Sequence, residues 1–226
     1  MLGAPLAQHI SGLNKDVLAS NLSMSTHTAH IIITTGRPAA GKSTLAKWLS
    51  QELGIPVVSK DSIREVLFDQ LGWKDRAWAQ KLGRASVDLM FYFAEMQLET
   101  NRSLILDNAF DPTLSAPRFE GLKSKYNAET IQIICNSDQK TLFQRFKARG
   151  RFGNRHPGHG DEDVFDELQA NLAKDQSPIM EIGGTIIEID TTDFTKIDYR
   201  ALLRQVKSAI QNHQVSSASD DKSMGK

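Results

Sequence analysis

Residues 31–53 read IIITTGRPAAGKSTLAKWLSQEL, and this stretch decides the fold of the chain. It begins with five β-branched residues, Ile31 to Thr35, which favour a strand. A turn with two glycines follows, and then a segment from Ser43 to Leu53 that predicts a helix. A strand, a glycine-containing turn and a helix in this order are typical of an α/β domain.

The turn itself, GRPAAGKS at residues 36–43, matches the pattern G-x-x-x-x-G-K-[ST] without a mismatch. Its glycines let backbone N–H groups surround phosphate oxygens, and the following helix adds the positive end of its dipole. We expect Lys42 to reach the β- and γ-phosphates of a nucleotide and the Ser43 hydroxyl to bind Mg²⁺. The residues predicted to hold the nucleotide on this P-loop are Gly36, Arg37, Pro38, Ala39, Ala40, Gly41, Lys42, Ser43 and Thr44.

The sequence lacks the arrangement of motifs that GTPases have, which favours ATP over GTP as that nucleotide. The base-reading pattern N-K-x-D does not occur. The pattern D-x-x-G is present at residues 69–72, but it falls inside a predicted helical region and does not follow a strand. The signatures of ABC-type proteins are also missing. The sequence therefore predicts ATP and Mg²⁺ as cofactors of a compact, kinase-like chain.

The pattern of strand followed by helix continues along the chain. Further strands are predicted at 55–59, 103–107, 131–135 and 185–190. Helices are predicted at 62–101 with a break near Gly72, and at 114–125, 139–148, 163–174 and 198–211. Alternation of this kind predicts a parallel sheet with helices on both faces, which is the three-layer sandwich of P-loop NTPases.

Composition sets the boundaries and the environment. The chain has 226 residues, a formal net charge of zero and one cysteine, Cys135, in an apolar run that predicts a buried strand residue. We expect an N-terminal extension at 1–28 (Met24 being an alternative start), one domain at 29–213 and a disordered tail at 214–226. A single cysteine and the lack of a signal peptide or an apolar span predict a cytoplasmic protein without a membrane partner.

A carboxylate and an arginine follow the second predicted strand, in the segment SKDSIR at residues 59–64. Ligands of open parallel sheets bind beyond the carboxyl ends of the strands, so Asp61 should face the P-loop. There it could accept the proton of an attacking hydroxyl, and Arg64 could hold an anionic group of the acceptor. Asp61 could instead cap the next helix, although Ser62 and Glu65 have the spacing of a capping box and would leave Asp61 free.

The third strand and a later arginine-rich segment complete the candidate site. Asp107 ends the strand at 103–107 and is either a Mg²⁺ ligand or a turn residue. Arg145 and Arg149 share one helix face and begin a predicted lid near residues 145–160, which would close over the triphosphate. A solvated helix end is the alternative. A metal site built from His156, His159 and nearby aspartates is disfavoured, because two histidines without cysteines are weak ligand evidence.

Aromatic residues after the second strand have two possible roles, an acceptor pocket or core packing, and core packing is favoured for most of them. They are Trp73, Trp78, Phe91, Tyr92 and Phe93. The segment Thr191–Phe194 follows the fifth strand and is predicted to lie near the adenine.

The P-loop, the segment SKDSIR and the pattern Arg-x-x-x-Arg-Gly at residues 145–150 together resemble the polynucleotide kinase family. Related kinases of the zeta-toxin and chloramphenicol-phosphotransferase types, and uncharacterised bacterial AAA-type ATP-binding proteins, share this likeness, which covers about residues 30–212. The resemblance implies sheet order 2-3-1-4-5, Asp61 as general base, Arg64 at the acceptor and the lid arginines at the donor.

The resemblance further implies a phosphotransferase with ATP-Mg²⁺ as donor and a small-molecule or nucleotide hydroxyl as acceptor, acting as a monomer or weak dimer. Two alternatives stay open. One is a nucleotide-dependent switch without an acceptor. The other is a nucleic-acid 5′-hydroxyl kinase, against which the neutral charge argues.

Overall fold

The computed structural model describes residues 28–151, 155–159 and 179–220. Within these ranges five parallel strands form a sheet of order β2-β3-β1-β4-β5, which confirms the predicted order. The strands are β1 (His30–Gly36), β2 (Val57–Ser59), β3 (Leu104–Asp107), β4 (Glu129–Asn136) and β5 (Thr185–Asp190). The central strand β1 ends in the P-loop, so the loop opens at the middle of the carboxyl edge of the sheet.

Helices cover both faces of this sheet and complete three layers. The described helices are α1 (Lys42–Leu53), α2 (Lys60–Leu71), α3 (Arg76–Glu99), α4 (Pro112–Tyr126), α5 (Gln139–Arg151) and α6 (Tyr199–Asp220). Side chains of β1 alternate between two separate cores: Ile32 packs with Leu45 and Leu49, whereas Ile31 and Ile33 pack with α3 and α4. Because β1 is buried on both faces, it reads as a continuous apolar run.

The long helical region predicted at 62–101 is broken where the sequence indicated. Helix α2 ends at Gly72, which has a φ of 75° that favours glycine. Asp75 then caps α3 by accepting a hydrogen bond from the Trp78 amide at 2.8 Å. This turn brings the start of α3 to the carboxyl edge of the sheet, beside the P-loop cleft.

The C-terminal helix is longer than predicted. Helix α6 continues to Asp220, into the segment interpreted as a disordered tail, because residues 212–220 contain neither the glycine nor the proline that would stop it. The predicted helix at 163–174, the extension before residue 28 and part of the lid near 145–160 lie outside the described residues.

Core packing was the wrong prediction for most of the aromatic residues after β2. Phe91 is buried against Phe119, but Trp73, Tyr92 and Phe93 are between 41% and 59% exposed. Tyr92 and Phe93 are on α3, which turns only one face toward the sheet, so these neighbouring positions face outward. Trp73 lies in the turn between α2 and α3. Cys135, by contrast, is buried as predicted, and burial raises the pKa of its thiol to about 12.

The described part of the chain contains no helix that is both long and apolar enough to cross a membrane.

Candidate active site

Two glycines give the P-loop its shape. A Cβ on Gly36, whose φ is 142°, would clash with the carbonyl oxygen of Cys135 on the neighbouring strand. Gly41 is the N-cap of α1 with a φ of 83°, and a Cβ there would collide with the ring of Phe194. Both positions therefore need glycine for conformation and for space, which explains the fixed ends of the motif.

Lys42 and Asp107 lie in the same cleft as the loop. The Lys42 ammonium donates to the Arg37 carbonyl oxygen at 2.8 Å. Burial lowers the pKa of Lys42, and the nearby Asp107 carboxylate opposes this shift. Asp107 is 3% exposed and accepts a hydrogen bond from the Thr34 hydroxyl at 3.4 Å.

The oxygen donors of this end of the cleft suit a hard cation. The Ser43 hydroxyl and the Asp107 carboxylate both line the cleft beside Lys42. Mg²⁺ prefers oxygen ligands and is often held by only one or two protein groups together with phosphate oxygens. The predicted pair is therefore chemically suited to hold Mg²⁺ bound to a nucleotide.

Strand β2 leads directly into α2, and this corrects the predicted capping box. The helix begins at Lys60 with Ser59 as N-cap, so Ser62 already lies in the first turn and Glu65 meets His159 at 3.0 Å. Asp61 does not occupy the cap position either. Asp61 lines the cleft, and its role as general base stays a prediction.

Two cations hold the Asp61 carboxylate. Arg155 Nη2 lies 3.2 Å from Oδ2, and Lys60 Nζ lies 3.6 Å from Oδ1. Burial alone would raise the pKa of Asp61, but the charges of Lys60 and Arg155 outweigh it and hold the pKa at about 2. Asp61 is therefore ionised throughout the physiological range.

Arg64 follows Asp61 by one helical turn and lines the same cleft. Its Nη2 donates to the Ala79 carbonyl oxygen at 3.0 Å, and its guanidinium lies 5.0 Å from the centre of the Phe68 ring. The contact with Ala79 ties α2 to α3. Lys74 and Arg76, which lie between α2 and the first turn of α3, also line the cleft and add positive charge to it.

Arg145 and Arg149 of α5 take different positions. Arg145 donates to the carbonyl oxygens of Thr191 and Thr192 at 2.8 and 3.0 Å and lies 4.9 Å from the centre of the Phe194 ring. It therefore ties α5 to the loop after β5, whose Phe194 covers Gly41. Arg149 lies in the cleft, near enough to both Lys42 and Asp61 to lower the pKa of each.

The segment of residues 155–159, Arg-His-Pro-Gly-His, lies along α2. Its three polar side chains contact carboxylates that are spaced one helical turn apart. Arg155 contacts Asp61, His159 contacts Glu65 at 3.0 Å and His156 contacts Asp69 at 3.1 Å. The histidines thus contact helix carboxylates, and in the described part of the chain no cluster of three or more metal-ligating side chains occurs.

The sequence analysis gave Lys60 no role, and it predicted Phe194 near the adenine. It placed Arg155 and His159 in a lid over the triphosphate and did not place them beside Asp61 and Glu65. A signal was present for Arg155 and His159. Asp61, Glu65 and Asp69 recur every four residues on one face of α2, and an arginine and two histidines lie within five residues of each other at 155–159. Nothing in the sequence, however, placed these two segments side by side.

A cavity of about 950 Å³ joins these parts. It is lined by the P-loop with Lys42 and Ser43, by the start of α2 with Asp61 and Arg64, and by Asp107 and Arg149. Asp61 is near enough to Lys42 to oppose the lowering of its pKa. The arrangement can hold a polyphosphate on the P-loop and present its terminal group to a second molecule beside Asp61.

The chain is similar to several known nucleotide-binding proteins and kinases. The AAA domain family matches residues 31–174. A "putative kinase" from Chloroflexus aurantiacus is 34% identical, covers 81% of this chain and 98% of its own, and superposes with a TM-score of 0.76. A "putative adenylate kinase" of Pyrococcus furiosus is 23% identical over 171 residues, which are 73% of this chain and 77% of that protein.

A more distant structure shares the fold. Kti12 of Chaetomium thermophilum, in complex with ADP-AlF3, is 14% identical, covers 80% of this chain and 98% of its own, and has a TM-score of 0.56. The fold of the chain is thus that of P-loop kinases and related nucleotide-binding proteins.

Proposed function

The chain belongs to the AAA domain family, and we propose that it acts as an ATP-dependent phosphotransferase that moves the γ-phosphate of ATP-Mg²⁺ to a hydroxyl group. The observation that carries this proposal is that a P-loop and an ionised carboxylate, Asp61, line the same cavity. A switch protein needs only the P-loop, which we call the donor end. The carboxylate and its surroundings, the acceptor end, are what an acceptor hydroxyl requires.

The donor end would act by binding and charge stabilisation. Backbone N–H groups of residues 36–44 would surround the phosphates, and Lys42 and Arg149 would place positive charge where the transferring group gains negative charge. Ser43 and Asp107 would hold the Mg²⁺ ion, which neutralises phosphate charge when it is bound. Arg145 would support this end indirectly, because it orients the loop whose Phe194 covers Gly41.

The acceptor end would orient the hydroxyl. The acceptor O–H would donate to the Asp61 carboxylate, and the oxygen would attack the γ-phosphorus as the bond to the ADP oxygen breaks. With a pKa of about 2, Asp61 would take the proton only after the new O–P bond has made the hydroxyl acidic. Its main contribution is therefore positioning, which suits the loose transition states of phosphoryl transfer.

The charge around Asp61 favours an anionic acceptor. Arg64, Lys74 and Arg76 line the same cleft and outnumber the neighbouring carboxylates Asp61 and Asp75. A phosphate or carboxylate group on the acceptor would be bound there by charge-assisted hydrogen bonds. Phosphorylated small molecules and nucleotides fit this description.

The test is transfer of labelled γ-phosphate from ATP-Mg²⁺ to a panel of hydroxyl compounds arranged in pairs, each with and without an anionic group. We expect a labelled product from at least one anionic member and a weaker or absent product from its neutral partner. The panel should include 5′-hydroxyl oligonucleotides, which examine the nucleic-acid kinase alternative directly.

The same assay examines a nucleotide-dependent switch, which the tight pairing of Asp61 with Arg155 would also suit. Phosphate release to water that no panel member accelerates or diverts would favour the switch over the kinase.

A further inference from the structure

Residues 155–159 contribute a hydrogen-bonded chain that ends on Asp61. Arg155 Nη2 lies 3.2 Å from Asp61 Oδ2 and 3.1 Å from His159 Nδ1. The other ring nitrogen of His159, Nε2, lies 3.0 Å from Glu65 Oε1. The hydrogen-bonded chain therefore joins four side chains in the order Asp61, Arg155, His159 and Glu65. It begins at the cleft and ends on α2.

The partners of His159 determine where its proton lies. A guanidinium can only donate, so the Nδ1 that faces Arg155 must accept. A carboxylate accepts, so the Nε2 that faces Glu65 must carry the hydrogen. His159 is therefore a neutral imidazole with hydrogen on Nε2, and in this form it satisfies both neighbours.

The surroundings of His159 favour the same neutral form. Its side chain is 1% exposed, and burial lowers its pKa to about 3, with Arg155 acting in the same direction. The charged groups that face it are Lys60, Asp61, Arg64 and Glu65 from α2 and Arg155 from its own segment. Cations outnumber carboxylates among these groups, which adds to the cost of a second proton on the ring.

Close packing holds this segment against α2. The ring edge of His159 meets the buried Phe68 ring, with centroids 5.5 Å apart at 88°. A Cβ on Gly158 would lie only 2.8 Å from the Phe68 ring, so a glycine is required for the segment to approach the helix. His156 also stacks on Phe68, with ring centroids 5.1 Å apart. The position of His159 is therefore set by the ring contacts as well as by its hydrogen bonds.

We propose that Arg155 is a further functional residue of the acceptor site and that His159 is its positioning residue. Neutral His159 holds the Arg155 guanidinium against Asp61, and Arg155 in turn fixes the carboxylate in the orientation that receives the acceptor hydroxyl. The catalytic consequence rests on the proposed function, whereas the hydrogen-bonded chain does not. The role assigned to Arg155 is thus on the acceptor side, distinct from that of the lid arginines predicted to contact the triphosphate.

The first experiment examines the chain of hydrogen bonds without any reaction. The full-length protein, labelled with ¹⁵N in histidine, is studied by NMR, and His159 is assigned by the signal lost in His159→Gln. We expect a neutral ring with hydrogen on Nε2 that does not titrate between about pH 5 and pH 8. A His159 that titrates near its ordinary value of 6.5, or that carries hydrogen on Nδ1, would overturn the proposal.

The second experiment measures phosphate release from ATP-Mg²⁺, with water as the acceptor, and the affinity for a fluorescent ATP analogue. Arg155→Ala and His159→Phe should lower kcat on the order of 100-fold, the effect of a small misplacement of a reacting group, while analogue affinity is retained. His159→Gln can accept from Arg155 and donate to Glu65, so it should keep most of the activity. Arg84→Ala, an exposed arginine of α3, is the matched control.

Each outcome separates positioning from packing. If His159→Gln is as inactive as His159→Phe, the ring serves only packing, and the proposal fails. It also fails if His159→Phe turns over ATP like the wild type. A wild type that releases and transfers no phosphate would refute the proposed function, and the NMR result would still decide whether His159 holds Arg155.

Discussion

The two ends of the cleft are built in different ways. The donor end comes from one contiguous stretch, residues 36–44, whose shape depends on two glycines and the start of one helix. The acceptor end joins Asp61 to Arg155, which lies 94 positions further along the chain. A phosphate site can be formed by one short stretch of chain, because backbone N–H groups provide the hydrogen-bond donors. A site that orients a hydroxyl group needs side chains from several elements.

The largest effect should come from the donor end. Lys42→Ala removes a cation from the transferring phosphate and should reduce ATP turnover roughly 10³–10⁵-fold, the scale that loss of such a charge reaches in phosphoryl transfer. The fold should be retained, because burial already disfavours the charged form of Lys42. Turnover assays with circular dichroism would check this, and Lys47→Ala, exposed on the same helix, should behave like the wild type. Substantial turnover by Lys42→Ala would refute the donor assignment.

The next effect should come from the acceptor end. Asp61→Asn keeps the size of the side chain but removes the negative charge, so transfer should fall roughly 10²–10⁴-fold while ATP affinity stays near normal. Calorimetry for binding and labelled-phosphate transfer for rate would separate the two quantities. Asp88→Asn, an exposed carboxylate of α3, is the control.

The pH profile sharpens the test of Asp61. Because its pKa is about 2, Asp61 should contribute no titration to kcat between about pH 5 and pH 8. A limb in this range that Asp61→Asn removes would show that the carboxylate is not held as described. Transfer that is unaffected by the substitution would move the role to Asp107 or to the substrate itself.

Arg149 is near both Lys42 and Asp61. Its substitution should change kcat much more than the KM for ATP. Arg149→Ala should lower kcat on the order of 10²-fold and change the KM for ATP far less, because its charge is needed most when the phosphate is in transit. Steady-state kinetics would measure both constants, with Lys147→Ala on the same helix as control. An effect confined to KM would make Arg149 a ground-state binding residue.

The smallest expected effect is on the free energy of unfolding at acid pH. It depends on His159 and therefore concerns the acceptor end only. The folded pKa of His159, about 3, is below its ordinary value of 6.5, so the unfolded chain takes up this proton first. Stability from this residue should therefore be complete above about pH 6.5 and be lost progressively as the pH falls toward 3. Urea unfolding at several pH values would reveal the slope, and His159→Gln should flatten it. An equal slope in both proteins would show that His159 is not buried in its neutral form.

The sequence was informative where the responsible groups are neighbours along the chain. The P-loop, the break at Gly72 and the strands of the sheet followed from patterns of a few residues each. It was misleading at the start of α2, where Ser62 and Glu65 have the spacing of a capping box. The helix began at Lys60 instead, because β2 continues into it without a turn and Ser59 takes the cap position.

Long-range contacts explain the rest of the differences. Arg145 is held by Thr191 and Thr192 and also lines the cleft, so its contact with the nucleotide stays a prediction; Phe194 covers Gly41. Arg155 and His159 reach α2 because Gly158, which lies between them and has no side chain, can approach Phe68 closely. No spacing rule connects residues so far apart, since their proximity depends on how the intervening strands and helices pack.

Patterns in the sequence predicted the parallel α/β sandwich, its strand order through a family resemblance, and the loop expected to bind phosphates. These depend on side-chain alternation, helix periodicity and glycine conformation, all of which act over a few residues. What faces Asp61, how its charge is held and why His159 is neutral became visible only in the folded molecule. Burial and charge act through space rather than along the chain, so the ionisation of a carboxylate follows from the fold that surrounds it.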